Sequence, residues 1–259
     1  MQYREFLPGP GTADWVARYW TMSVSGVEPG FGHRIIPDGC TDVVVAVRRP
    51  APTIVAVRGP RATPLVLPVS PGDRYFGMRL WPDAGAPVLG APAGTLVERM
   101  APAGQFVGGD ADRLGRAFDP APEAAAAPGI FGNWLEPRLG LLPPLDPAVR
   151  LTILAASAAD GAARVTDLAK IVGLGPRQLQ RRFLRSTGLT IKTYARIRRL
   201  RATLGHLLAR EPRTWSQVAA ALGFADHSHL AGEFARLAGA PPTEIAAYIA
   251  RIQHLDVVP

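Results

Sequence analysis

The sequence predicts an α+β protein of two parts: a β-rich N-terminal domain with short helices, and an all-α C-terminal domain of two helix–turn–helix units joined by a long helix. Three observations lead to this fold class. Short runs rich in Val, Ile and Leu, bounded by turn residues, occupy the first part of the chain. Beyond Pro143-Pro144 the apolar residues recur at helical spacing. One turn-and-helix pattern then occurs twice, about 50 residues apart.

The N-terminal strands are predicted from runs of β-branched and aliphatic residues between clusters of Pro, Gly and Asp, a pattern typical of a small sandwich or barrel. The runs are Arg34–Pro37, Asp42–Val47, Thr53–Val57, Leu65–Val69 and Tyr75–Leu80. After Trp81 the pattern changes, and short helices are expected at Gly94–Met100 and Asp110–Phe118. Two consecutive prolines resist continuation of a helix or a strand. The predicted domains are therefore 1–143 and 144–259.

The duplicated pattern is the most informative feature of the C-terminal part. Gly173 and Gly223 lie at matching turns, and the later pairs are Leu179 with Leu230, Phe183 with Phe234, and Gly188 with Gly239. Because glycines and apolar positions recur, each copy reads as one helix–turn–helix unit with its own core. The units are placed at about 165–188 and 215–239. Two such units predict contact with two neighbouring stretches of DNA.

Capping residues fix where each second helix begins. Gly175 can serve as N-cap with Pro176 at the first helical position, where the missing N–H costs nothing. Asp226 takes the same place in the second unit, and its carboxylate can accept from free amides. Between the units, residues 191–208 have apolar positions at helical spacing and predict one continuous amphipathic connector helix.

Charge is concentrated in the part of the chain that holds these units. From Arg150 onward there are 16 basic and 7 acidic residues, against 13 basic and 14 acidic residues before it. A basic surface confined to a helix–turn–helix region favours double-stranded DNA as the partner. A surface-charged helical bundle with solvated arginines is the alternative, and about half of the arginines named below are expected to be merely solvated.

The second helix of a helix–turn–helix enters the major groove, where Arg can bind guanine and Gln can bind adenine in a bidentate manner. The outward residues of the first unit suit direct readout: Arg177, Gln178, Gln180 and Arg181. Six further arginines are better placed to meet phosphates, which set affinity and register. They are Arg182 and Arg185, with Arg196, Arg198, Arg199 and Arg201 on the connector.

The C-terminal part resembles the DNA-binding domain of the AraC/XylS family of bacterial transcription regulators over about residues 150–252. The resemblance is carried by Leu222–Ile245, in which the signature positions are Gly223, Phe224, Asp226, Ser228, Leu230, Phe234, Gly239, Pro242 and Thr243. It implies two helix–turn–helix units, bridged by a long helix, inserting into successive major-groove segments on one face of DNA.

The second unit departs from that family where it would read bases. Family members often carry a basic or polar residue where this chain has Gly232, and neither Ala231 nor Gly232 can reach a base edge. Glu233 would repel phosphate unless it accepts from cytosine. We therefore expect the first unit to dominate specificity and the second to add weaker contacts through His227, Ser228 and His229.

The N-terminal part resembles an uncharacterised, cupin-like domain that precedes AraC-type units in many regulators, through Arg34–Val45 and Tyr75–Gly90. Relatives of this architecture often bind a small effector or form a dimer there. Arg79 and Trp81, near a strand end, are the candidate effector-pocket residues. A structural tryptophan with a surface arginine is the alternative. Trp134 and Leu135 could form a dimer contact or pack on the barrel.

Other classes of function find little support. His33, Asp38, Cys40 and Asp42 are close in sequence, but Pro37-Asp38-Gly39 reads better as a turn, and no metal site is expected. The single cysteine excludes an intrachain disulfide. No catalytic grouping or cofactor motif is found, so an enzymatic or small-molecule-binding barrel with an accessory DNA-binding domain is the runner-up. A weakly specific architectural DNA binder is a third hypothesis.

The remaining partner expectations follow from the same features. RNA polymerase is an expected partner of a regulator, and a homodimer is left open. No run of about 18 apolar residues and no secretory start is present, so a cytoplasmic protein without membrane contact is expected.

Overall fold

The structure is a computed structural model that describes residues 1–208, 214–252 and 255–258. Within the described residues, seven strands form a mixed sheet in the order β8-β5-β4-β7-β2-β1-β9. This sheet is the framework of the N-terminal half, by which we mean the chain before Pro143-Pro144, and β9 joins it from the end of the chain. These strands are β1 (Gln2–Phe6), β2 (Val16–Ser23), β4 (Thr41–Val47), β5 (Ile54–Arg58), β7 (Arg74–Leu80), β8 (Met100–Pro102) and β9 (Leu255–Val258). A second sheet pairs β3 (Phe31–Ile35) with β6 (Leu65–Val69).

The five predicted strands are confirmed within a few residues, and the structure adds four more. β1 and β2 form an antiparallel pair, and β8 pairs with β5. β9 departs from the expectation of an all-α C-terminal part, because Leu255–Val258 runs parallel to β1 and extends the N-terminal sheet. A Val-rich segment suits that free strand edge. The sheet ends at β8 and β9, so the described strands do not close into a barrel, and the cupin-like interpretation stays a prediction.

Helices cover one face of the large sheet. They are α1 (Gly85–Leu89), α2 (Ala93–Leu96), α3 (Gly104–Val107), α4 (Asp110–Phe118) and α5 (Ala127–Leu139). Alternation places Val43, Val45 and Val47 of β4 in the core beneath them, together with Phe76, Met78 and Leu80 of β7. Trp134 and Leu135 of α5 are buried in this core. They therefore pack on the sheet and are not a dimer contact.

The described residues beyond α5 form the helices α6 (Pro147–Ala158), α7 (Val165–Ile171), α8 (Pro176–Thr187), α9 (Ile191–Leu208), α10 (Trp215–Ala221), α11 (His227–Ala238) and α12 (Pro242–Ile252). The first unit has its own core, in which Ile153, Leu168 and Phe183 are buried together. A second core joins Leu200 and Leu204 of α9 to Leu230 and Phe234. The predicted duplication is thus two packed units on one connector. No helix in the described ranges is long and apolar enough to cross a membrane.

Candidate nucleic-acid interface

α8 is the second helix of the first unit. Its N-cap is Gly175 with extended backbone, Pro176 follows at the first position, and Gly188 ends the helix at φ 73°. These caps confirm the sequence prediction. Leu179 and Phe183 are fully buried on the inner face. The buried face fixes the direction in which the opposite face of the helix points.

The outward face of α8 carries the four residues that the sequence assigned to base reading. These four side chains, Arg177, Gln178, Gln180 and Arg181, are all exposed to solvent. Arg185, one turn further on, is exposed as well. Their guanidinium and amide groups provide donors and acceptors that match base edges in the major groove. α8 therefore presents a continuous polar and basic face beside a complete core.

Arg182 is engaged with the protein itself. Its Nε lies 2.7 Å from Asp146 Oδ2 and its Nη2 lies 2.6 Å from Oδ1. Asp146 also caps α6 by accepting from Ala148 N. Burial alone would raise the pKa of Asp146, but the hydrogen bond from Arg182 and the capping amides hold it below its ordinary value. Arg182 thus braces α8 against α6, which departs from the expectation of a phosphate contact.

α11 occupies the matching place in the second unit. Asp226 is its N-cap and accepts from His229 N at 2.7 Å, which confirms the predicted cap. His227, Ser228 and His229 are exposed. His229 Nδ1 accepts from Ala225 N at 3.2 Å, so one ring nitrogen is already used within the unit. Gly232 is exposed and leaves a gap in the outward face.

Glu233 is paired with arginines on both sides. Arg196 Nε lies 2.5 Å from its Oε2, and Arg236 also forms an ion pair with it. Its negative charge is therefore balanced within the domain, which weakens the repulsion of phosphate expected from the sequence. Arg236 is an exposed cation on α11 that the sequence argument overlooked.

The connector arginines are less exposed than expected. Arg198 and Arg199 are half-buried, and the Arg199 guanidinium lies 5.4 Å from the centroid of the Phe224 ring. Burial lowers the pKa of Arg199, with a further contribution from Arg196. Because α9 lies between the second unit and the N-terminal half, one side of it is covered. This placement departs from the expectation that Arg198 and Arg199 face phosphates.

Comparison with known families agrees with this geometry. Residues 168–247 match the sequence model of a helix-turn-helix domain. The C-terminal region is an AraC-type helix–turn–helix domain. Residues 4–102 match a domain of unknown function (DUF6597), in line with the uncharacterised domain expected from the sequence. No curated protein sequence matches the chain significantly.

Solved structures similar to this chain include DNA-binding transcription regulators. An AraC-type transcriptional regulator from Chromobacterium violaceum is 24% identical, covering 39% of this chain and 90% of its own, with a TM-score of 0.36. The DNA-binding domain of AdpA, in complex with a target DNA, is 27% identical, covering 41% and 96%, with a TM-score of 0.35. ToxT from Vibrio cholerae is 11% identical, covering 89% and 97%, with a TM-score of 0.46.

The AraC-type domain packs directly on the N-terminal half. Arg150 of α6 makes a bidentate ion pair with buried Asp83, at 2.8–3.2 Å. At the second unit, Arg34 N donates to the Tyr248 hydroxyl at 2.7 Å, and that hydroxyl is 2.8 Å from His33 Nδ1. The hydroxyl proton is donated to His33 Nδ1 in the tautomer that carries the ring proton on Nε2. Both units are therefore seated on the N-terminal half.

A cavity of about 460 Å³ lies between the large sheet, the β3–β6 sheet and helices α9 and α12 of the AraC-type domain. Arg79, a predicted effector-pocket residue, lines it. Trp81 does not. β7 ends at Leu80 and the chain turns, with Ala84 N donating to Trp81 O. The Trp81 ring instead lies under Arg150, 5.3 Å from its guanidinium. Trp81 is thus a structural residue at the junction of the two halves.

A buried ionic cluster underlies one end of the cavity. Arg79 Nε lies 2.9 Å from Asp38 Oδ2 and 3.4 Å from Asp42 Oδ1, and Arg58 also pairs with Asp42. Burial would raise the pKa of Asp38, but Arg79 and Arg58 lower it. Sequence reasoning missed this cluster, although Asp42, Val44 and Ala46 alternate along one strand and could have indicated a face that is polar at one end and apolar beyond it.

The residues considered for a metal have other roles. Asp38 and Asp42 pair with arginines, and His33 bonds to Tyr248. Cys40 is buried, and burial raises the pKa of its thiol. Within the described ranges, no three His, Cys, Asp or Glu side chains are grouped so as to hold a metal ion.

Proposed function

We propose that this chain is a sequence-specific DNA-binding transcription regulator that reads two adjacent major-groove segments, with α8 as the principal reading helix. The observation that carries the proposal is the exposed face of α8, where Arg177, Gln178, Gln180 and Arg181 stand beside a fully packed core. An AraC-type domain supports DNA as the partner. Arg and Gln at these positions supply sequence preference in addition to charge.

The second unit contributes weaker contacts in this proposal. In the first turn of α11 the exposed polar groups are His227, Ser228 and His229, and the side chains of Ala231 and Gly232 offer nothing that reaches a base. Paired Glu233 neither attracts nor strongly repels phosphate. α11 therefore adds affinity and fixes register, while α8 specifies sequence.

Control by a small effector is the second element of the proposal. A cavity of about 460 Å³ falls within the usual range for small-molecule sites. ToxT has been solved with a bound carboxylic acid, (E)-4-(8-methylnaphthalen-1-yl)but-3-enoic acid. RNA polymerase is the expected protein partner, and a homodimer is an alternative to a monomer on DNA.

The test is to recover genomic fragments bound by the purified protein and to footprint the best site. Two protected major-groove segments about one helical turn apart support the proposal. A single short footprint would mean that one unit alone reads DNA. Equal affinity for the best fragment and for random DNA would instead favour a weakly specific architectural binder.

A further inference from the structure

The large sheet has two different faces, and the second face lines the cavity. Along β4, Val43 and Val45 point into the helical core, whereas Val44 and Ala46 line the cavity. The same alternation holds for β7, where Phe76 is in the core and Tyr75 lines the cavity. This parity is the ordinary consequence of the strand pleat. The cavity is therefore built by regular structure.

Strand pairing arranges this face in rows that change from polar to apolar. The first row contains Asp42 opposite Arg58 and Arg79. The next contains Val44 opposite Ala56 and Gly77, and Gly77 lies opposite Trp20. A third row contains the side chains of Ile54, Ala46, Tyr75, Met22 and Tyr3. Over the length of β4, from Thr41 to Val47, the face extends about 20 Å at the usual rise per strand residue. An occupant would thus be elongated, with a mainly apolar body.

The charges that face the cavity are mostly positive. Arg34, Arg48, Arg58, Arg79 and Arg201 line it, and Glu5 is the lining carboxylate. Glu5 is already used, since it accepts from Arg79 at 3.1 Å and from the Tyr3 hydroxyl at 2.7 Å. Asp38 and Asp42 do not line the cavity, and Asp42 is fully buried beneath Arg58. A cationic occupant is disfavoured by this lining.

Two of these arginines have guanidinium groups without a hydrogen bond or ion pair to any other described residue. Arg201, on α9, is near enough to Asp38 to lower its pKa but is not in contact with it. Arg48 lies at the opposite, apolar end, and its buried Nε has no partner among the described residues. Arg201 shares its end of the cavity with Arg58 and Arg79, so an anion there would meet several guanidinium groups.

We propose that this cavity binds an elongated, mainly apolar small molecule carrying one acidic group, and that Arg201 holds the acid at the polar end. The inference rests on the proposed function, because it names the class of effector and the place where it binds. Burial of the body against Trp20, Met22 and Leu204 supplies affinity, and the charged end sets orientation.

The site also explains how an effector would act on the DNA-binding half. One wall is the N-terminal sheet, and the opposite wall includes Arg201 and Leu204 of α9 with Tyr248 and Ile249 of α12. A bound molecule contacts both halves at once. It therefore favours the docked arrangement over any arrangement in which the halves separate.

The experiment titrates the full-length protein, without DNA, with two fluorescent probes that differ by one acidic group: anilinonaphthalene sulfonate and its uncharged parent phenylnaphthylamine. Arg201→Gln should weaken binding of the sulfonate by about tenfold or more and binding of the parent by less than about twofold. Arg48→Gln removes the same charge at the other end and serves as the matched control. It should leave both affinities within about twofold.

Specificity for the cavity is tested by filling it. Ala46→Trp should abolish binding of both probes. If that variant does not fold, Ile54→Trp replaces it, because Ile54 lies at the exposed rim of the cavity, and it should abolish binding in the same way. The proposal is overturned if the sulfonate still binds the filled variants. Equal losses in Arg201→Gln and Arg48→Gln, or a loss in Arg48→Gln alone, also overturn it. Footprinting of the probe-free protein tests DNA binding independently of the probe titration. If the titration fails but the footprint is intact, this inference is wrong and the proposed function stands.

Discussion

Gly188 and Gly239 end the reading helices of the two units at equivalent positions, and both lie directly against the N-terminal half. A Cβ at Gly188 would lie 2.6 Å from the carbonyl oxygen of Ala93. A Cβ at Gly239 would lie 2.6 Å from Arg34 Nη1. The duplicated glycine therefore serves as a helix C-cap and as a docking point in both copies. Both reading helices therefore end in contact with the N-terminal half.

Gly188→Ala should destabilise the protein more than Gly173→Ala. Both glycines have positive φ, 73° and 66°, so each substitution costs about 1 kcal/mol of backbone strain. At Gly173 no atom lies near the added methyl group, whereas at Gly188 a backbone carbonyl must move. We expect urea unfolding to show an additional loss of at least about 1 kcal/mol for Gly188→Ala. Equal losses would mean that the docking contact is loose.

Tyr248→Phe should loosen the contact between α12 and β3. The substitution leaves Arg34 N without its acceptor and His33 Nδ1 without its hydrogen-bond partner. The expected cost is about 1–3 kcal/mol of unfolding free energy. Hydrogen exchange at the Arg34 amide should become faster. Unchanged protection of that amide would show that the two halves are held elsewhere.

His33 should make the same contact sensitive to acid. Burial, aided by the nearby charge of Arg58, lowers its pKa from 6.5 to about 4. The unfolded chain therefore takes up a proton at higher pH than the folded protein, and stability falls as the pH drops from about 6.5 towards 4. Subtracting the unfolding curve of His33→Asn from that of the wild type isolates this contribution. A difference that does not vary over that range would contradict the neutral, hydrogen-bonded His33.

Arg182→Ala should affect folding more than sequence preference. Its guanidinium is bound to Asp146, which also caps α6, so its loss removes a brace between α6 and α8. We expect a small fall in melting temperature and a smaller loss of operator affinity than Arg181→Ala produces. An Arg182→Ala variant that loses base preference as strongly as Arg181→Ala would show that Arg182 reads DNA.

The helical half was predictable because its signals are local. Caps such as Gly175 and Asp226, and the spacing of apolar residues along the connector, determine each helix within its own segment. β9 could not be predicted, because its partner β1 is more than 240 residues away in sequence. The directions of Arg198 and Arg199 depend on what covers α9. Trp81 was assigned to the pocket because it alternates with Arg79 across Leu80, but β7 ends at Leu80 and the chain turns at Trp81.

The central claim, that α8 specifies the sequence, is tested most directly by measuring the affinities of wild-type, Arg181→Ala and His229→Ala proteins for the best genomic site and for random DNA. The wild type should prefer its site by about a thousandfold or more. Arg181→Ala should lose about 1–3 kcal/mol of binding free energy on that site and little on random DNA, and His229→Ala should lose less. Equal losses for the two variants would contradict this assignment.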